Sequence, residues 1–209
     1  MGMRTLARAA MLSAAVAVVG AIPASAQTVT FSTSGSFSGT GCSAAACNFG
    51  GFVLSYTGAT STSYAAPTFV DLGSFTTLCS GCSPQQNISI GSGAMFTLTI
   101  TQTNPTNGTQ SFVGALSGTL SFSPNGSDLI WTPTSFTTAI GGTTYALVTD
   151  AGAGLAGNVN ISAPLDGGAT ANTTSVKAFV TTVPEPASIA LMATGLLGLV
   201  PVARRRRNS

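Results

Sequence analysis

The residues of this chain best suited by type and spacing to do chemistry are four cysteines: Cys42 and Cys47 in GCSAAACN, and Cys79 and Cys82 in LCSGCS. C-x4-C with C-x2-C supplies the ligand count of a tetrathiolate zinc site, and C-x2-C alone has the spacing of a thioredoxin-type redox pair. Redox chemistry of that kind needs a helix N-terminus to lower the thiol pKa, and no helix is expected here. Other candidates are sparse. The chain has no histidine, which removes Ser-His-Asp and Cys-His hydrolysis and most metal hydrolysis together. Lys177 has no S-x-x-K around it. Asp71, Asp128, Asp150 and Asp166 stand in VDLG, SDLI, TDAG and LDGG, at strand ends or beside glycine, where aspartate serves turn geometry. They form neither a glycosidase pair nor the closely spaced carboxylates of a calcium loop. The expectation is no enzyme activity, with no catalytic residue, metal or cofactor.

The elements that carry these residues read as strands. Phe96, Leu98 and Ile100 alternate with Thr97, Thr99 and Thr101, and Phe112, Leu116, Leu120 and Phe122 share one parity while Ser111, Ser117, Thr119 and Ser121 share the other. Period two with hydroxyls on the wet face predicts half-buried strands. Further strands are expected over 29–37, 49–56, 68–78, 129–136, 143–149 and 174–183. Turn signals separate them: Asn107-Gly108, Pro124-Asn125-Gly126, Gly141-Gly142 and Asp166-Gly167. Short strands at this spacing predict an all-β fold, an antiparallel β-sandwich or jelly-roll-like ectodomain.

Both ends differ in kind from this middle. Arg4 and Arg8 precede an apolar run over 9–22, then Pro23 and the triplet Ala24, Ser25, Ala26. That order is a secretory signal peptide with an A-x-A cleavage site, so the mature chain is expected to begin at Gln27. At the other end 187–203 is uncharged for seventeen residues and is followed at once by Arg204, Arg205, Arg206 and Arg207. As a helix the stretch is roughly 25 Å long at about 1.5 Å per residue, the short end of a membrane span. Four guanidinium groups are very costly to carry through hydrocarbon, so they act as a stop that keeps the terminus cytoplasmic.

Pro184, Glu185 and Pro186, the apolar stretch and the arginine cluster follow one another in the order found in the PEP-CTERM sorting signal of Gram-negative bacteria, and the tail resembles that family. The resemblance covers 184–209 and implies recognition by exosortase, a multispanning membrane protease or transpeptidase with a cysteine nucleophile. It also implies an association with exopolysaccharide production, and so with surface, matrix and biofilm. A Gram-positive sortase tail shares the layout but carries L-P-x-T-G, absent here. The two prolines favour extended backbone, which presents the segment as a protease takes it. Glu185 places an anion where the span would start.

Three segments result: a signal peptide over 1–26, an exported β domain over 27–183, and a sorting signal over 184–209 with its transmembrane helix over 187–203. Export bears on the cysteines. An oxidising compartment, an even count and no histidine for mixed ligation favour two disulfides over zinc. Local pairing, Cys42 with Cys47 and Cys79 with Cys82, is the economical arrangement, and cross-pairing is its rival. The full chain has net charge +2, but 27–183 sets one lysine against four aspartates, leaving minus three. No basic patch remains for nucleic acid. Two function classes follow: a non-catalytic surface or matrix protein sorted by exosortase, or a polysaccharide-binding module delivered by the same route, with Trp131, Tyr56, Tyr64 and Tyr145 as rings that could stack on sugars.

Overall fold

The structure, a computed structural model, describes residues 26–183 apart from 80, 83–86, 91–92, 122–128, 149–156 and 166–169. The first expected segment except Ala26, the whole sorting tail, Phe122, Asp128, Asp150 and Asp166 therefore lie outside the described residues. Within them the chain is all β, thirteen strands in two antiparallel sheets, and no helix is long and apolar enough to cross a membrane.

One sheet has the order β12(Val159–Ile161), β9(Leu129–Pro133), β8(Gly108–Ser121), β7(Met95–Asn104), β1(Gln27–Ser38), β4(Thr62–Ala66). The short β6(Asn87–Ile90) pairs with the far end of β8, beyond the stretch that β7 occupies. The second sheet has the order β10(Thr137–Ile140), β11(Thr143–Val148), β13(Asn172–Thr182), β5(Thr68–Cys79), β3(Phe52–Gly58), β2(Ala46–Phe49). The chain passes from the first sheet to the second between β1 and β2, β4 and β5, β9 and β10, and β12 and β13.

The alternation legible in the sequence sets which face is which. Phe96, Leu98, Ile100, Phe112, Leu116 and Leu120 are all buried, while Thr97, Thr99 and Thr101 stand on the other face of β7. The two inner faces meet over an aromatic cluster. Phe75 of β5 lies 4.7 Å from Phe96 of β7, and Phe96 is also 5.0 Å from Tyr56 and 5.2 Å from Trp131. Tilted and edge-on ring pairs of this kind each contribute about 0.5–1.5 kcal/mol beyond the area they bury.

Two expectations change. The strand expected over 49–56 is a hairpin, because Gly50 and Gly51 take φ of 62° and 97° and turn β2 into β3. The strand expected over 129–136 ends at Pro133, after which β10 begins at Thr137; proline brings no N–H to a ladder. Within β5, Val176 faces Gly73 but Lys177 faces Asp71, so Leu72 is an extra residue without a partner on β13. This bulge switches the buried parity from Val70 and Leu72 to Phe75, Thr77 and Cys79. It also leaves the Leu72 carbonyl to accept from the Thr33 hydroxyl and, at 2.5 Å, from the Tyr56 hydroxyl, which ties the sheets together.

Candidate functional site

The last strand decides where the folded domain ends. β13 runs between β11 and β5, with Val176, Ala178 and Val180 fully enclosed. Its final paired residue is Thr182, opposite Thr143. One residue further on, the Val183 amide donates to the Gly142 carbonyl at 2.8 Å, while the Val183 side chain is 67% exposed. The described chain is thus anchored to the sheet up to the residue before Pro184. At the same register Gly141 and Gly142 turn β10 into β11, with Gly141 at φ 58°.

Residues 182–207 match the family model described as the PEP-CTERM protein-sorting motif. The chain carries a PEP-CTERM sorting signal. It therefore covers Pro184, Glu185, Pro186 and Arg204, Arg205, Arg206 and Arg207, and it begins on the last paired residue of β13, so folded domain and signal abut without a linker. The PEP-CTERM motif implies export, a membrane-anchored precursor and processing by an exosortase. Neither a curated protein nor a solved structure matches the chain.

At the other terminus Ala26 is exposed and Gln27 is already the first residue of β1, paired with Ala66. Ala24 lies outside the described residues. A cut after Ala26, as the sequence leads one to expect, would leave an N-terminus that is part of the sheet.

The cysteines form two local disulfides, Cys42 with Cys47 and Cys79 with Cys82. Cys47 sits in β2 and Cys79 at the end of β5, with side chains turned into the core. Each bridge pins a loop to the second sheet. Among the described residues no group of three or more histidine, cysteine or acidic side chains is placed to hold a metal.

The rings considered for sugar stacking serve the core. Trp131 and Tyr145 are completely buried. The Tyr145 hydroxyl donates to Gln102 Oε1 at 2.8 Å, and Gln102 Nε2 donates to the Thr106 carbonyl at 2.8 Å, so a buried amide is satisfied at both ends. Tyr56 packs against Phe75 and Phe96, and Tyr64 stacks on Phe31 at 5.8 Å. Burial pushes the Tyr56 hydroxyl far above the usual phenol range, opposed by the neighbouring Thr33 hydroxyl and reinforced by the Asp71 charge. Burial alone does the same to Tyr145.

Sequence reasoning passed over a different aromatic pair. Phe69 of β5 and Phe179 of β13 are direct cross-strand partners on the outer face of the second sheet, 4.9 Å apart, with Phe69 61% exposed. Parity could have found them, since Val176, Ala178 and Val180 take the inner face and leave Phe179 with Lys177 outside. One register row inward, Lys177 faces Asp71, and these two are the charged side chains among the described residues.

Proposed function

We propose that this chain is an exported, non-catalytic surface protein that is held in the cytoplasmic membrane of a Gram-negative bacterium by its tail, cut by an exosortase, and used in the extracellular polysaccharide layer or biofilm matrix. One observation carries this reading: the sorting motif starts on the last paired residue of β13, so the folded domain is cargo joined directly to its delivery signal. The signal peptide over 1–26 and the membrane span over 187–203 belong to the same proposal. Two facing antiparallel sheets support reading the cargo as a β-sandwich.

The chemistry of the cargo favours a structural role. The chain has no histidine, and Asp71 and Lys177 face each other, so among the described residues the outer face of the second sheet carries no net charge. The outer face of the first sheet is a lattice of hydroxyls, with Thr99 and Ser111 in contact at 3.0 Å and Ser89 and Thr119 at 3.2 Å. Hydroxyls without fixed charge suit weak, water-mediated contact with hydrated sugar polymers. A dedicated polysaccharide-binding module is the weaker reading, because the four rings considered for it sit in or against the core.

Deletion of the gene tests the proposal. Aggregation, floc or biofilm formation should change without a metabolic defect, and a full-length copy should restore it where a copy truncated after Val183 does not. Complete restoration by the truncated, freely secreted copy would make sorting dispensable and end the proposal.

A further inference from the structure

Phe69 and Phe179 expose apolar surface at a particular place. Phe179 lies three residues before Thr182 on the strand that leads into the sorting signal, about 10 Å at the usual strand rise. Only 183–186 separate Thr182 from the uncharged stretch that begins at Ala187, five Cα steps that reach at most about 18 Å. While the tail is in the membrane, the domain is thus leashed close to the bilayer by the end that carries the two rings.

The surroundings of the pair are compatible with lipid. Ala146 of β11 is the partner of Phe179 on its other side, and Thr144 and Thr181 form the row toward the exit. The next row inward holds Asp71 and Lys177 opposite one another, which presents anionic or zwitterionic headgroups with no net repulsion. Among the described residues the outer face of the first sheet offers no comparable ring. Two phenyl groups alone hold a free protein to a membrane weakly, but a short leash makes their contact intramolecular and raises their effective concentration.

We propose that Phe69 and Phe179 form a membrane-contact site: in the tail-anchored precursor the second sheet lies toward the bilayer with both rings in its interfacial layer. This fixes the orientation of the domain toward a membrane-embedded protease, and the contact is given up when the tail is cut. The site rests on the sorting reading above, because without an anchored tail the leash does not exist.

The test uses precursor accumulated in cells without the processing enzyme, reconstituted into phospholipid vesicles with brominated acyl chains. Phe69→Trp is compared with Thr101→Trp, which labels the exposed outer face of the first sheet. Trp131 is fully enclosed and gives a constant background. The expected result is co-flotation of both variants, with emission from Phe69→Trp shifted to shorter wavelength and lost to the bromolipid, and emission from Thr101→Trp unchanged. Co-flotation with equal or absent quenching would overturn the contact site while leaving the anchor intact. A blue shift that depends on protein density and not on the bromolipid would also overturn it, naming a second copy as the occupant. Failure to float would instead remove the anchored precursor on which the site depends.

Discussion

The amide of Val183 is held by the carbonyl of Gly142 at 2.8 Å, and this is the last point at which the described chain is tied to the sheet. The contact lies inside the matched sorting motif, which starts at Thr182. Fold and sorting motif therefore share their boundary residues, and under the proposed sorting the processing enzyme would meet a substrate fixed on its N-terminal side by a β-sheet.

Replacing Tyr145 by phenylalanine should destabilise the domain by about 1–3 kcal/mol, since it strands the buried Oε1 of Gln102. Adding Gln102→Leu should return part of that loss, and urea unfolding of both single variants and the double variant measures the coupling. Non-additivity near zero would show that the pair does not act as drawn.

The raised tyrosines set the alkaline limit. Their folded pKa values lie above the unfolded value of about 10, so the stability they contribute is fully present below that pH and is lost as pH rises toward the folded values. With no histidine in the chain, the urea midpoint should be level from about pH 5 to 8 and should fall above about pH 10. A smaller alkaline fall in Tyr145→Phe than in the parent would assign the effect.

Gly58 is a close-approach glycine. An added Cβ would overlap the carbonyl of Thr33 on the facing sheet, where Thr33 and Ala59 exchange hydrogen bonds. Gly58→Ala should cost about 3 kcal/mol or more. Gly50→Ala meets no neighbour and costs only its left-handed backbone, φ 62°, about 1–2 kcal/mol. Equal thermal shifts in the two variants would contradict the close packing of β3 on β1.

These contrasts show what the sequence made legible. Strict alternation announced β7 and the inner face of β8, because each has one wet side. The bulge at Leu72 and Gly73 was not legible: it changes the buried parity midway through β5, and Gly73 is its only local sign. β6 and β12 are too short for any periodicity to register. The tail was readable without the fold, since its order of prolines, apolar run and arginines is a matter of composition. Cysteine spacing left cross-pairing open until the strand positions of Cys47 and Cys79 placed each beside its near neighbour.

Each disulfide spans a short loop, five and three residues in sequence, so each should stabilise by less than the roughly 3 kcal/mol of a 15-residue loop. Removal of one pair by alanine should lower the midpoint and leave a folded domain. Non-reducing peptide mapping of exported protein should find no free thiol; stoichiometric zinc would overturn the disulfide reading.

Replacing Pro184 and Glu185 by alanine removes two of the three residues of the Pro-Glu-Pro motif. The full-length chain should then accumulate in the cytoplasmic membrane, measured by fractionation. Normal release of the variant would show that the motif is not what the protease reads.

Intact-mass measurement of the released protein tests the central claim most directly. The mass should correspond to a chain that begins at Gln27 and has lost the segment following Pro184, Glu185 and Pro186. Released, surface-located protein that retains Arg204, Arg205, Arg206 and Arg207 would contradict sorting and leave a single-span anchor in its place.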